Sequence, residues 1–222
     1  MTRSAQTIHG SSGVAAVPVR DFIAVDDSGD FSYHPSERDL LAGFEYATEA
    51  SCILDRRGTA YRLMLDPDRR LVLGRALGPV EYHWLKQAWL IAQTVHAHEH
   101  QIRRFPAESM EELIADLFEV LALDQGIAPA HQRWALLVHG SASHPSDLKE
   151  INRRLSHQRA LDRTLVQDPF GHVYRAARHR RHRLLPAAPG DILYLEIHGA
   201  LAPGSGGAHV TTATGREPLS GR

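Results

Sequence analysis

The segment from residue 51 to residue 74 constrains the fold more than any other part of the sequence. It reads SCILD, RRG, TAYRLMLD, PD and RRLVLG, which is three apolar stretches separated by two short turns. Side chains alternate between the two faces of a strand, so we expect Tyr61, Leu63 and Leu65 on one face of the middle strand. The segment therefore predicts an antiparallel β meander over residues 51–74.

The hydrophobic spacing after the meander predicts helices. Over residues 80–100, apolar side chains recur every three or four positions, which is typical of an amphipathic helix. The predicted core-facing stripe of this helix consists of Trp84, Ala88, Ile91 and Val95, with Leu85 and Ala92 beside it. A second helix is predicted over residues 108–123, and a basic helix begins at Ser146 and Asp147 and runs to about Ala160.

Two more apolar runs, near residues 133–139 and 191–198, predict buried strands. In the later run, Leu193, Leu195 and Ile197 alternate and are expected on the inner face. The fold predicted from these elements is α+β. It has a largely antiparallel sheet, made of the meander and these two strands, packed against two or three helices.

Composition divides the chain into four parts. Residues 1–17 are small and polar without periodicity, which predicts a disordered arm. Residues 199–222 are rich in glycine, which predicts a flexible tail. Between them, residues 18–125 form a predicted N-terminal α+β part. Residues 131–198 form a basic C-terminal part, which we expect to belong to the same domain.

Positive charge is concentrated in residues 149–183, which we call the basic segment. It contains ten lysine or arginine residues and three acidic residues, a net charge of +7, whereas the rest of the chain carries −8. Clustered cations gain affinity for a polyanion because each neutralised phosphate releases condensed counterions. The leading hypothesis is therefore a non-enzymatic binding or accessory protein whose basic segment engages nucleic acid or another polyanion.

The predicted nucleic-acid contacts all lie in the basic segment. Its arginines are expected to contact phosphates, and its tyrosine is expected to stack on an unpaired base. These residues are Arg153, Arg154, Arg159, Arg163, Tyr174, Arg175, Arg178, Arg180, Arg181 and Arg183. No helix-turn-helix, zinc-finger or RNP-like motif accompanies them. A solvated surface, a complement to the chain's own acidic part and a dock for an acidic protein therefore stay open as alternatives.

The stretch VHAHEHQIRRF suggests a different class of protein, a small histidine-dependent hydrolase or lyase that works with or without a metal. His96 and His100 are four residues apart, so on a helix they share a face and are candidates for binding one ion. A third ligand is expected from elsewhere, such as His139, His144 or Asp147. The order of residues is not the H-E-x-x-H of metalloproteases. The leading expectation is no bound metal and no cofactor.

Trp89 indicates a third possibility, because it falls about 140° away from the predicted core stripe on a helical wheel. A tryptophan on the far side of a helix indicates a second packing layer or an interface, where aromatic residues are enriched. The chain is then a protein–protein interaction module or a homo-oligomer, with no role in nucleic-acid binding.

The remaining sequence features bear on location and chemistry. No apolar run is long enough to span a membrane as a helix, and the N-terminal residues lack the apolar core of a signal peptide. The single cysteine, Cys52, excludes an intramolecular disulfide. We therefore expect a cytoplasmic protein. No nucleophile-elbow, phosphate-loop or dinucleotide motif is present, and no catalytic residue is predicted.

Overall fold

The protein is described by a computed structural model over residues 20–158, 160–179 and 192–199. The predicted arm and nearly all of the predicted tail lie outside these ranges. Within them the chain forms four helices, α1 (Glu37–Ala42), α2 (Tyr82–Val95), α3 (Met110–Asp124) and α4 (Leu148–Ser156). No helix of this part of the chain is both long enough and apolar enough to cross a membrane.

The strands of the described residues form three sheets. The N-terminal strands are β1 (Phe22–Asp26), β2 (Phe31–His34), β3 (Ala50–Asp55), β4 (Thr59–Tyr61), β5 (Leu63–Leu65), β6 (Leu71–Leu73), β7 (Gly78–Pro79) and β8 (Ile102–Arg103). The C-terminal strands are β9 (Ala135–Val138), β10 (Ser141–Ser143), β11 (Thr164–Gln167), β12 (Val173–Arg178) and β13 (Ile192–Ile197).

A five-stranded sheet has the order β2-β1-β3-β4-β7, a six-stranded sheet has the order β10-β9-β11-β12-β13-β8, and β5 and β6 form a hairpin. Neighbouring strands are antiparallel except β13 and β8, which pair in parallel through Tyr194 and Ile102. The α+β class and the largely antiparallel pairing are therefore confirmed, with one helix more than the two or three predicted.

The predicted meander is present but divided between two sheets. Ile53 pairs with Tyr61 in the five-stranded sheet, whereas Leu63 pairs with Leu73 in the hairpin. The middle stretch breaks at the exposed Arg62 between them. Leu63 is buried, but Leu65 is 54% exposed, so the predicted apolar face of this stretch ends at Leu63.

The main core lies between the two large sheets and is built around α3. Leu117 and Phe118 occupy adjacent positions of α3, and both are fully buried. Adjacent residues point about 100° apart around a helix, so α3 is buried on more than one side. On one side it meets the first sheet, where Phe118 packs edge-on against Tyr33 with ring centroids 6.2 Å apart. The same cluster includes Val166 and Tyr194 of the six-stranded sheet, so residues from both predicted parts share one core.

The face that α2 buries is not the predicted one. Its buried residues are Leu85, Trp89 and Ala92, whereas Ile91 and Val95 of the predicted core stripe are exposed. Trp89 determines this orientation, because its ring packs edge-on against Phe31 at 5.2 Å between centroids. The prediction that the Trp84 stripe is buried was wrong. The buried face is rotated from it by about 100° around the helix axis, which corresponds to one residue.

Strand β13 is also turned over relative to the prediction. In β13, Ile192 and Tyr194 face the core, and Leu195 is 41% exposed. The tyrosine hydroxyl donates a hydrogen bond to Oδ1 of Asn152 on α4 at 2.7 Å, which satisfies its polar end inside the protein. Because Asn152 satisfies this hydroxyl, the face of β13 that carries Tyr194 can be buried in place of the predicted face with Leu193, Leu195 and Ile197.

The basic helix is confirmed, though it is shorter than predicted. It begins after Asp147, whose carboxylate accepts the backbone N–H of Glu150 at 2.7 Å. Leu148, Ile151 and Leu155 lie on its buried side. The position of α4 brings its first turn next to the ends of α2 and α3, where the candidate site lies.

Candidate functional site

The candidate site begins where α2 ends. The helix stops at Val95, and His96 caps it with its backbone N–H donating to the carbonyl of Ala92 at 2.8 Å. The chain then turns over residues 96–99, so His96 and His100 do not share a helix face as predicted. His100 returns into the protein, where it is 3% exposed and packs against the ring of Trp89.

His100 is held between two carboxylates from distant elements. Its Nε2 lies 2.7 Å from Oδ1 of Asp30, in the turn between β1 and β2. Its Nδ1 lies 3.3 Å from Oδ2 of Asp124, the last residue of α3. When both carboxylates are ionised they only accept hydrogen bonds, and both ring nitrogens of His100 then donate, which gives the imidazole a positive charge.

The pKa values in this triad follow from burial and pairing. Burial opposes the charge on His100, but hydrogen bonds to Asp124 and Asp30 outweigh it and raise its pKa to about 9. For Asp30, burial is again the opposing effect, and the hydrogen bond from His100 holds its pKa below the ordinary value. Burial dominates at Asp124 and raises its pKa, and its Oδ1 has no hydrogen-bond partner among the described residues.

Next to this triad, three side chains are placed to share a cation. Asp30, His96 and Glu99 each offer one ligand atom, and these atoms lie within 4.8 Å of one another. Asp30 is half-buried and is fixed by its backbone N–H, which donates to Oδ1 of Asp26 at 2.9 Å. An imidazole with two carboxylates is a ligand set that suits a divalent transition metal.

The sequence identified only one of these three ligands. The predicted partner of His96 was His100. In the structure His100 is not one of the three ligands but hydrogen-bonds to one of them, Asp30. The predicted third ligands lie elsewhere: Asp147 caps α4, and Nδ1 of His144 lies 3.3 Å from the carbonyl oxygen of Trp134. His139 sits in a tight turn at a φ of 49°.

A pocket of about 460 Å³ lies beside the triad. It is formed by the β1–β2 turn, the 96–101 turn, the end of α3 and the first turns of α4. Asp30, Glu99, His100 and Asp124 contribute acidic and imidazole groups to its lining, and Lys149 contributes a cation. A concave site that combines polar groups with a strongly shifted pKa is typical of a ligand-binding or catalytic pocket.

The described part of the basic segment is divided between two surfaces. On α4, Arg153 and Arg154 are exposed, and both pair with Glu150. Arg175 is exposed on β12, whose neighbouring residues face the core cluster that also buries α4. Because strand side chains alternate, Arg175 points away from α4, on the opposite side of the sheet. Arg163 is exposed just before β11.

Two predicted contact residues have other roles in the structure. Tyr174 is fully buried, and its hydroxyl donates to Oδ2 of Asp168 at 2.7 Å, a placement that does not fit stacking on a base. The guanidinium of Arg178 donates to the carbonyl oxygens of Leu155, Ser156 and Gln158 at the C-terminal end of α4. Arg159, Arg180, Arg181 and Arg183 lie outside the described residues.

A second buried ionic network, which the sequence did not reveal, surrounds Arg104. Its side chain is 4% exposed and donates to Asp168 at 2.9 Å, to Asp116 at 3.0 Å and to Glu119. Its Nε also donates to the hydroxyl of Tyr174 at 3.1 Å. These partners raise the pKa of Arg104 above its ordinary value although burial alone lowers it. The network joins α3 to the six-stranded sheet.

The chain matches no protein-family model, no curated protein and no solved structure. The arrangement at the pocket combines a three-ligand cation set, a buried histidine that hydrogen-bonds to one of the ligands, and an open cavity large enough for a small molecule.

Proposed function

We propose that the protein binds a divalent metal ion through Asp30, His96 and Glu99 and hydrolyses a small ligand held in the adjacent pocket. The observation that carries this proposal is the convergence of three ligand atoms within 4.8 Å of one another, from two separate segments of the chain. Catalytic metal sites commonly use three protein ligands and leave a position for water. An ion held there would lower the pKa of a coordinated water and would so supply the nucleophile for hydrolysis.

The mixed ligand set narrows the choice of ion. Imidazole suits zinc, copper, iron and nickel, whereas carboxylates suit magnesium, calcium and manganese. A site with one imidazole and two carboxylates therefore favours zinc or manganese over an ion that prefers only nitrogen ligands or only oxygen ligands. His96 must be neutral to bind a metal, because only an unprotonated ring nitrogen offers a lone pair to the ion.

His100 supports the proposal as a positioning residue. Ligating side chains are usually oriented by hydrogen bonds from an outer shell of residues. Here His100 donates to Asp30 and is itself fixed by Asp124, so one carboxylate ligand has a defined direction before any ion binds. On the other side of the pocket, Lys149 offers a positive charge to an anionic group of the ligand.

The test uses the full-length protein, freed of metal with a chelator and titrated with zinc and with manganese by calorimetry. We expect one ion per chain for the wild type, and at least a tenfold loss of affinity for His96→Ala and for Glu99→Gln. His144→Ala is the matched control, because His144 is exposed and lies outside the ligand set. Equal affinity of His96→Ala and His144→Ala would show that the site is elsewhere or does not exist.

Activity is tested separately on the metal-loaded protein, with ester and phosphoester substrates that release a chromophore. We expect turnover that requires the ion and falls with the same two variants. Stoichiometric binding without any turnover would support a metal-binding protein and reject the hydrolytic half of the proposal.

The surface of α4 supports a second candidate, the binding of a polyanion. Lys149 and Arg153 are exposed and one turn apart on α4. For this role we expect binding that falls steeply with salt and differs little between nucleic-acid sequences. Lys149→Ala with Arg153→Ala should weaken it, whereas the exposed pair Arg70→Ala with Arg75→Ala should not. We propose the cytoplasm as the location for either function.

A further inference from the structure

Strand β2 carries a serine and a histidine that are hydrogen-bonded to each other. Ser32 and His34 are two residues apart, so their side chains lie on the same face of the strand. Oγ of Ser32 lies 2.9 Å from Nε2 of His34. A hydroxyl within hydrogen-bond reach of an imidazole is the pairing through which a histidine activates a serine as a nucleophile. Neither residue belongs to the cation ligand set, so the metal site does not account for the pair.

The surroundings of His34 hold its ring in place. The ring packs against Phe44, with centroids 5.8 Å apart. Gly43 leaves room for the ring, because a Cβ at this position would come within 2.9 Å of Cε1 of His34. The φ of Gly43 is −81°, which any residue adopts, so the backbone itself does not require glycine here. The base of the pair therefore has a defined position.

His34 also has the protonation state of a general base. Burial lowers its pKa below the ordinary value, although a hydrogen bond to the backbone of Asp39 and the charge of that residue oppose the shift. The imidazole is therefore neutral near pH 7 and free to take up a proton. When its own proton is on Nδ1, Nε2 accepts the hydroxyl hydrogen of Ser32. A hydrogen bond from the ring to the carbonyl of Asp39 favours this tautomer.

Ser32 lies at the edge of the 460 Å³ pocket and contributes to its lining. β2 is an edge strand, so alternate residues direct their backbone groups away from β1. The side-chain amide of Gln125 donates to the carbonyl oxygen of Tyr33 at 2.8 Å, so the backbone of Tyr33 faces outward. Its N–H therefore points to the same open edge. There it is placed to donate to the oxygen that becomes negative when Ser32 attacks a carbonyl group.

We propose that Ser32 is a nucleophile, activated by His34, that accepts the acyl group of a small carboxylic ester bound in the pocket. Oγ of Ser32 bonds to the carbonyl carbon, its proton moves to Nε2 of His34, and the π electron pair moves to the carbonyl oxygen. When this pair returns, the bond to the leaving oxygen breaks and His34 gives the proton to the departing alcohol. Water then releases the acid from Ser32 through the same two steps, with His34 again as the base.

The group behind His34 favours an ester over an amide. In a full catalytic triad, a buried carboxylate stabilises the imidazolium that forms during attack. Here the ring is paired with the backbone of Asp39, whose carboxylate is exposed and accepts the hydroxyl of Ser36 at 2.6 Å. A neutral carbonyl stabilises the imidazolium less than a carboxylate, so the pair suits a substrate whose leaving group departs readily. These steps involve no ion, and the inference is independent of the proposed metal site.

The test is labelling of the full-length protein with a fluorophosphonate, which phosphonylates activated serines with loss of fluoride, in the presence of a chelator. We expect one adduct per chain, located at Ser32 by peptide mass spectrometry. Ser32→Ala should abolish the labelling. His34→Gln should slow it at least tenfold, because an amide accepts a hydrogen bond but does not take up the proton.

Ser51→Ala is the matched control and should be labelled as fast as the wild type. Ser51 is an exposed serine of the same sheet, and its hydroxyl donates to the backbone carbonyl of Asp26 at 2.9 Å. A wild type that is not labelled, an adduct on another serine, or a His34→Gln variant that is labelled as fast as the control overturns the inference.

A thiol in place of the hydroxyl gives a second readout in which His34 stays intact. In Ser32→Cys, we expect iodoacetamide to alkylate position 32 at least tenfold faster than Cys52, whose pKa is raised by burial. Adding His34→Gln should remove most of this difference. Alkylation of position 32 no faster than that of Cys52, or at the same rate with and without His34, contradicts the inference. Both assays contain a chelator, so a failure here leaves the calorimetric test of metal binding unaffected.

Discussion

Nε2 of His100 lies 2.7 Å from Oδ1 of Asp30, although 70 residues separate the two in the sequence. With Asp124 on the other side of the ring, this contact joins the first β turn to the ends of α2 and α3. A buried imidazolium between two carboxylates is stable only while all three groups keep their charges. The triad therefore makes the stability of the protein depend on pH.

We expect the free energy of unfolding to fall between pH 6.5 and pH 9. The pKa of His100 is about 9 in the folded protein and 6.5 when the residue is exposed. The folded value is the higher one, so its stabilisation is complete below pH 6.5 and is lost as the pH rises through 9. The full effect is on the order of 3 kcal/mol. Urea unfolding at several pH values, with a chelator present, measures it.

The control for this pH dependence is His100→Gln, which cannot take up a proton. Its unfolding free energy should be lower than that of the wild type at pH 6.5, and the two should converge toward pH 9. Parallel pH profiles for the two proteins would show that His100 is not the group responsible.

Truncation of α2 should distinguish its two apolar faces. Trp89→Ala removes a buried ring packed on Phe31 and His100, so we expect a loss of about 3–5 kcal/mol. Ile91 is 51% exposed, and Ile91→Ala should cost less than about 1 kcal/mol. Urea unfolding at a concentration where the protein is monomeric measures both losses of stability. A larger loss for Ile91→Ala than for Trp89→Ala would show that the Trp84 stripe is the buried face after all.

The divided meander predicts a similar contrast two residues apart. Leu63 is 5% exposed in the second, smaller core under α1, so Leu63→Ala should cost about 2–4 kcal/mol. Leu65 is 54% exposed, and Leu65→Ala should change the unfolding free energy little. Similar losses for the two variants would mean that the hairpin packs through both residues.

Arg104 should be the most sensitive charged residue outside the pocket. Arg104→Met leaves the buried Asp168 without its cation, which typically costs about 3–5 kcal/mol. Arg153→Ala, at an exposed position, should have little effect on the same measurement. A small loss for Arg104→Met, measured by chemical denaturation, would show that Tyr174 and the nearby backbone N–H groups suffice to hold Asp168.

Arg175 and Arg178 share a strand, but we expect opposite phenotypes. Arg178 satisfies carbonyl groups that the end of α4 leaves without partners, so Arg178→Ala should lower stability by about 1–3 kcal/mol. Arg175 is exposed, so Arg175→Ala should leave stability unchanged and affect only any binding of a polyanion. Thermal melts and a salt-dependent binding assay on both variants separate the two roles.

The elements of the fold were predictable where local chemistry defines them. Apolar periodicity located α2 and α3, and Ser146 and Asp147 marked the start of α4. The choice of face was not predictable, because two adjacent stripes of α2 are apolar and both faces of β13 contain large side chains. Partners distant in the sequence made the choice: Phe31 for Trp89, and Asn152 for Tyr194.

The candidate site was less accessible to sequence reasoning than the fold. His96 stood out because of its neighbouring histidines, but the role of Asp30 depends on a chain reversal that no spacing rule describes. The four-residue interval between His96 and His100 predicts a shared helix face, and α2 ends before it reaches them. The second helix was predicted to end at residue 123, so no sequence signal pointed to Asp124, whose carboxylate contacts His100.

The parallel pairing of β8 with β13 has a consequence for how the chain is made. Glu196 accepts the backbone N–H of Phe105, a contact across 91 residues, just beyond the point where these two strands meet. During synthesis from the N-terminus, the segment around Ile102 must wait until β13 has been made before its edge of the sheet can close. Contacts of such long range slow folding. We therefore expect chains that lack β13 to depend on chaperones and to be cleared by proteases.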